Sequence, residues 1–145
     1  MRKITHIIVH CSASSQKTTA ANIIAYHTLP VNRGGRGWKT PGYHYIVEPD
    51  GNVVSVVPED KVSNGVQGLN HCAINVCYIG GVDVSKKGLP PIDNRTPQQR
   101  GALADLLAKL AGKYPEAKIY GHRDFAAKAC PSFDAKSEYS HLCHT

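Results

Sequence analysis

The chain has 145 residues, 41% of them hydrophobic, and a formal net charge of +6 at pH 7. That length suits one domain over residues 1–145, large enough to bury a core without disulfide or metal staples. No run approaches the ~20 apolar residues of a membrane span, and Met1-Arg-Lys-Ile-Thr-His6 has neither the apolar core nor the cleavage site of a secretory signal, so the expectation is cytoplasmic synthesis without membrane insertion. Residues 3–11 are rich in β-branched side chains and read as a buried strand. Residues 12–17 are a polar loop. Thr18 or Thr19 can cap a helix that runs to about Leu29 and stops at Pro30. Residues 31–42 form a Gly/Arg loop containing Trp38. Residues 43–48 and 52–57 read as two strands joined by Pro49-Asp-Gly51, since Asp-Gly is a strong hairpin signal. Residues 58–72 are polar and irregular. Residues 73–79 are apolar and end at Gly80-Gly81, the mark of a second buried strand, and residues 82–94 are another loop. Thr96-Pro-Gln-Gln99 is a capping box with proline at the first helical position. Leu103, Leu106, Leu107, Leu110 and Tyr114 then make one apolar helical face, ended by Pro115. Residues 117–121 are the last strand. Strands and helices alternate, which predicts an α/β fold: a single mixed β-sheet of about five strands flanked by helices.

The chemistry gathers after that last strand. His122, Lys128 and Cys130 fall within nine residues. An imidazole and a thiolate leaving one strand end supply two ligands of a three-ligand zinc site, which keeps a fourth position for water. His10, at the end of the first strand, is the best third ligand, because functional side chains in open α/β folds collect beyond strand carboxyl ends. His6 shares its strand face, so parity alone does not choose between them. Lys128 is placed to stabilise an oxyanion, and Tyr43 to hydrogen-bond one. Taken singly, each of these residues also has an ordinary reading as a packed or solvated side chain. No CxxC is present, which excludes a four-cysteine structural zinc. Five cysteines is an odd count, and without a secretory signal free or metal-bound thiols are expected, with Cys11 and Cys77 buried. Cys72 and Cys143 carry no signal. The positive charge is scattered and suits an anionic polymer, either nucleic acid or cell wall.

Together the motifs resemble the type 2 N-acetylmuramoyl-L-alanine amidases, the fold shared with phage amidase-lysozymes and peptidoglycan recognition proteins. Ile7-Ile-Val-His-Cys-Ser-Ala13, Gly42-Tyr-His-Tyr-Ile46, Asp50-Gly51, Asn70 with residues 74–81, and residues 121–134 carry the resemblance in the same order across nearly the whole chain. It implies zinc-dependent cleavage of the amide between N-acetylmuramic acid and L-alanine in peptidoglycan. It implies one catalytic zinc held by His10, His122 and Cys130, with Tyr43 assisting and Lys128 on the oxyanion. Arg33, Arg36 and Trp38 are expected to form a rim that grips stem-peptide carboxylates, and Asn70 to join the substrate-binding set. The chain departs from the pattern in three places. Ser63-Asn-Gly65 lacks a histidine common in that loop, and Asn75 stands where glycine is common. The Arg33 to Trp38 loop is longer and more basic than in the shortest phage forms. A wall hydrolase without an export signal needs lysis or a helper to reach its substrate, which suits a phage or prophage endolysin. The expected partner is peptidoglycan, met by a monomer. A non-catalytic wall-binding module is the alternative, though such modules typically lose the cysteine. Nucleic acid is not expected, because no helix clusters Lys and Arg.

Overall fold

The computed structural model of the chain describes residues 2–144. The first apolar run forms β1 (His6–Cys11), buried from Ile7 onward. Thr19 caps α1 (Ala20–Thr28) in a reciprocal box with Asn22. The Asp50-Gly51 turn joins β2 (Tyr45–Val47) to β3 (Val53–Ser55), with Gly51 at φ 90°. β4 (Ala73–Tyr78) is buried along its whole length. Thr96 and Gln99 cap α2 (Pro97–Lys113), and β5 (Lys118–Gly121) follows. A single turn, α3 (Ala135–Glu138), comes next, followed by a short 3-10 turn at Ser140–Leu142.

The strands assemble in the order β3-β2-β4-β1-β5. β2, β4, β1 and β5 run parallel, and β3 is the antiparallel edge. This is the mixed five-stranded sheet that the sequence predicts. Its hairpin is shorter than expected, pairing over three residues on each side. Beyond Ser55 the chain leaves the ladder, and the Val56 N–H donates to the carbonyl of His44 instead (2.8 Å).

Each face of the sheet has its own cover. Ile7 and Val9 of β1, Val47 of β2 and Ile74, Val76 and Tyr78 of β4 share one cluster with Leu103, Leu107 and Leu110 of α2. Side chains alternate along a strand, so the intervening residues point the other way. There Ile46, Cys77 and Ile79 meet Ala20 and Ile23 of α1. Each fully buried Leu or Ile contributes about 1.5–3 kcal/mol.

Two polar devices hold the elements in register. Gln99 is fully buried. Its Nε2 donates to the carbonyls of Val47 (3.1 Å) and Ile79 (2.9 Å), tying the start of α2 to the ends of β2 and β4. Its Oε1 accepts from the Thr96 N–H (3.0 Å), so the cap residue also fastens helix to sheet. Arg95 has a buried side chain between Asp93 and Glu138, with its guanidinium 3.5 Å over the Phe133 ring. All five cysteines are free, and Cys11 and Cys77 are buried as expected. Among the described residues no helix is long and apolar enough to cross a membrane.

Candidate functional site

His10 is the penultimate residue of β1 and lies on the α1 side of the sheet. β5 runs parallel beside it, with Val9 opposite Gly121. The next residue in each chain segment, His10 within β1 and His122 just past the end of β5, is therefore a histidine at the same level. The two rings meet edge to face, with Nδ1 3.2 Å from Nδ1. After His122 the chain makes one tight turn (His122–Asp124), held by the Asp124 carboxylate on the Gly121 N–H (2.8 Å). It then doubles back, and the Arg123 N–H donates to the carbonyl of Cys130 (2.7 Å). That bond closes the excursion from His122 to Cys130 and delivers the sulfur beside the two rings. The ligand atoms of His10, His122 and Cys130 all lie within 4.8 Å of one another. His6 takes no part; it stacks on Tyr120 at 5.0 Å.

Behind the cluster the backbone is close. The Cys11 N–H donates to Cys130 Sγ (3.2 Å). Gly81 (φ 93°) lets β4 turn away, since a Cβ there would collide with the Cys11 side chain. Tyr78 Oη donates to the Pro131 carbonyl (2.6 Å) and Ser132 Oγ to that of Gly81 (2.7 Å), pinning the segment after Cys130 to the end of β4.

The donor set fits a zinc ion. Burial, with the neighbouring His122, drops the His10 pKa to about 3. Burial and the Lys128 charge lower that of His122. Both rings are therefore neutral at pH 7 and keep a lone pair. A hydrogen bond with Cys11, then burial, pushes the Cys130 thiol up, so binding a metal there releases its proton. Two neutral imidazoles and one sulfur suit zinc in both number and softness.

The cluster sits at the floor of an open cleft of about 640 Å³. Tyr43 lies half-buried on its wall, its ring 5.0 Å from that of His10. Burial and the nearby Cys77 hold its phenol protonated, so it is a hydrogen-bond donor. Lys128 is exposed on the same cleft and makes no ion pair among the described residues. Arg36 and Trp38 line the rim, with the guanidinium 4.6 Å over the indole. Trp38 in turn stacks on His27 (4.7 Å), whose Nδ1 accepts from the Gly42 N–H (3.0 Å). Two expected substrate residues lie elsewhere. Arg33 ends a short turn away from the cleft lining. Asn70 turns inward, its Oδ1 accepting from the N–H groups of Gly65 (3.0 Å) and Val66 (2.8 Å), so it shapes the loop that reaches the cleft. His27 and Asn75 are residues of the site that sequence reasoning missed. Asn75 Oδ1 lies 2.8 Å from His10 Nε2. The signal for it was present, since a lone amide inside an apolar strand needs a buried partner.

The mixed sheet, with a cleft over convergent imidazole and thiol side chains beyond its parallel strand ends, defines an α/β protein with a site of metal-binding type. Residues 1–133 match the family model described as N-acetylmuramoyl-L-alanine amidase. The chain is 40% identical over 134 residues to an endolysin of Enterobacteria phage K11, covering 92% of this chain and 83% of that protein. It is also 40% identical over 133 residues to the endolysin of Escherichia phage T7, covering 90% and 82%. Among solved structures, the N-acetylmuramoyl-L-alanine amidase LysC from Clostridium intestinale URNW aligns with a TM-score of 0.77. That alignment has 24% identity over 97% of this chain and 86% of that one, a likeness of fold. The chain belongs to the N-acetylmuramoyl-L-alanine amidase family, and it is an enzyme that hydrolyses peptidoglycan.

Proposed function

We propose that the enzyme is a zinc amidase of the endolysin kind, with His10, His122 and Cys130 holding one ion. The carrying observation is the convergence of those three donors at the floor of the cleft. A bound zinc would supply a Lewis acid that polarises the lactyl amide carbonyl and lowers the pKa of a water. The chain's own residues do the rest. The Lys128 ammonium, unpaired among the described residues, takes up charge as it develops on the carbonyl oxygen. The protonated Tyr43 phenol donates a hydrogen bond to the reacting oxygens and can relay a proton. Among the described residues no carboxylate lines the cleft, so no acidic side chain serves as general base there. Arg36 and Trp38 are suited to a stem peptide, one by gripping a carboxylate and the other by offering a flat apolar face.

In this reading residues 1–145 form one amidase domain. It acts as a monomer on the cell wall after release by lysis or a helper, and it has no nucleic-acid partner. The phage endolysins among its relatives support that setting. The test is digestion of purified cell walls with mass spectrometry of the products, alongside metal analysis of the wild type and Cys130→Ser. New L-alanine N-termini with intact glycan chains, and near-stoichiometric zinc in the wild type alone, are expected. Cleaved glycosidic bonds would overturn the amidase reading, and a fully loaded Cys130→Ser would remove that ligand.

A further inference from the structure

We propose that Asn75 is a positioning residue that fixes the tautomer of His10, through a one-way chain of buried hydrogen bonds starting at the backbone of the loop opposite. The inference rests on the reading of His10 as a metal ligand. His10, His44, Ser63 and Asn75 are each 1% exposed or less, so every polar atom must be satisfied within the protein. The order of donors can be worked out from the backbone inward. The Asn75 N–H donates to His44 Nδ1 (3.0 Å), so that nitrogen carries no proton. The neutral ring keeps one proton, which is therefore on Nε2, where it meets the Lys61 carbonyl at 2.8 Å; Arg2 Nη2, 3.2 Å from the same nitrogen, can only donate and so bonds instead to the Glu59 carbonyl (2.7 Å). Ser63 Oγ lies 3.1 Å from the same unprotonated Nδ1, so the hydroxyl shares it as a second donor. The Ser63 oxygen is then free to accept, and Asn75 Nδ2 donates to it at 2.8 Å. With its NH₂ so engaged, Asn75 presents Oδ1 to His10. An oxygen can only accept, so His10 must carry its proton on Nε2. Its Nδ1 is left with a bare lone pair, 3.2 Å from His122 Nδ1 and within the cluster of donor atoms that includes Cys130 Sγ.

The same chemistry explains the neighbouring glycine. A Cβ at Gly65 would fall inside the contact radius of the Asn75 amide, so residue 65 leaves the space that the amide fills. The loop that carries Ser63 is in turn held by Asn70 on the N–H groups of Gly65 and Val66. Were the Asn75 amide reversed, its NH₂ would face His10 and demand an acceptor at Nε2. The His10 proton would then move to Nδ1 and block the lone pair. Groups that orient metal-binding histidines in this way are typically worth 10–100-fold in metal affinity or activity, and a comparable loss is expected here.

The experiment uses the full chain, ¹⁵N-labelled and metal-free, with the ring tautomers read from two-bond ¹⁵N–¹H correlations. Wild-type His10 should be the Nε2–H form. In Asn75→Leu, which keeps the bulk and lacks the acceptor, that form should give way to Nδ1–H or a mixture. Zinc affinity, from competition with a chromophoric chelator, should fall by about 10–100-fold. Asn75→Asp restores an acceptor and should recover both tautomer and affinity, which a purely space-filling role would not predict. An Nδ1–H tautomer in wild-type His10 would overturn the proposal without any variant. So would a folded Asn75→Leu with the wild-type tautomer and unchanged zinc affinity. If the wild type bound no zinc, the metal reading would fail, while the metal-free tautomers would still decide the role of Asn75.

Discussion

Lys128 stands two residues before Cys130, on a segment whose course is set by the bond from Arg123 to Cys130. Its charge reaches the cluster of His10, His122 and Cys130, since it is one cause of the lowered pKa of His122. A cation so placed acts most strongly once negative charge develops on the carbonyl oxygen. Its loss should therefore lower kcat and leave KM nearly unchanged. Lys128→Ala is expected to cost about 10²–10³ in kcat on soluble muropeptides, with zinc content intact. Lys128→Arg should recover part of this, because a planar guanidinium cannot place its charge as an ammonium does. Retention of more than about a tenth of wild-type kcat in Lys128→Ala, well above the loss typical of an oxyanion donor, would make Lys128 a bystander. Tyr43 would then be the next residue to replace.

Residues 93–95 and α3 meet through Arg95, whose side chain is buried between two carboxylates. Hydrogen bonds from Arg95 hold the pKa values of Asp93 and Glu138 below their usual range. A depressed carboxylate pKa contributes stability that is present above the unfolded value, near 4, and is lost as pH falls through the folded value. Urea unfolding between pH 5 and 2 should thus show stability declining with acid. Asp93→Asn should flatten that decline and cost about 1–3 kcal/mol at pH 7, by weakening hydrogen bonds to a buried cation. An unaltered pH slope in Asp93→Asn would place the acid sensitivity elsewhere. The contact also shows where legibility in the sequence ends. The threonine cap of α1, the capping box of α2 and the Asp-Gly hairpin were readable because their signals lie within a few residues, whereas the reciprocal partner Asn22 in the α1 cap was not read. His10, His122 and Cys130 were readable as residue types at strand ends, and the register of β1 with β5 brought the two histidines together. Arg95 and Glu138 are 43 positions apart and follow no local period. The same holds for the links among Asn75, Ser63 and His44. α3 is one turn long, too short for helical periodicity to mark. Asn70 was assigned to the substrate side because a residue's type does not say which way its side chain turns.

The net charge of +6 is spread over the molecule, with Arg36 and Lys128 at the cleft and most other cations away from it. Peptidoglycan offers stem-peptide carboxylates on an insoluble mesh, so encounter with the wall should be helped by the whole field rather than by one contact. Such a field is screened over a Debye length of about 10 Å at 0.1 M salt and about 3 Å at 1 M. Clearing of purified cell walls should therefore slow severalfold across that range. Turnover of a soluble muropeptide at saturation should stay nearly constant, because the approach step no longer limits it. Lys87 and Lys109 are exposed and line no part of the cleft. Replacing both with glutamine should reduce the salt dependence on walls and leave kcat on the soluble substrate unchanged. An equal salt effect on both substrates would place the effect in the chemistry at Lys128 and Arg36. An unaltered salt slope in the double variant would confine the attraction to the cleft rim.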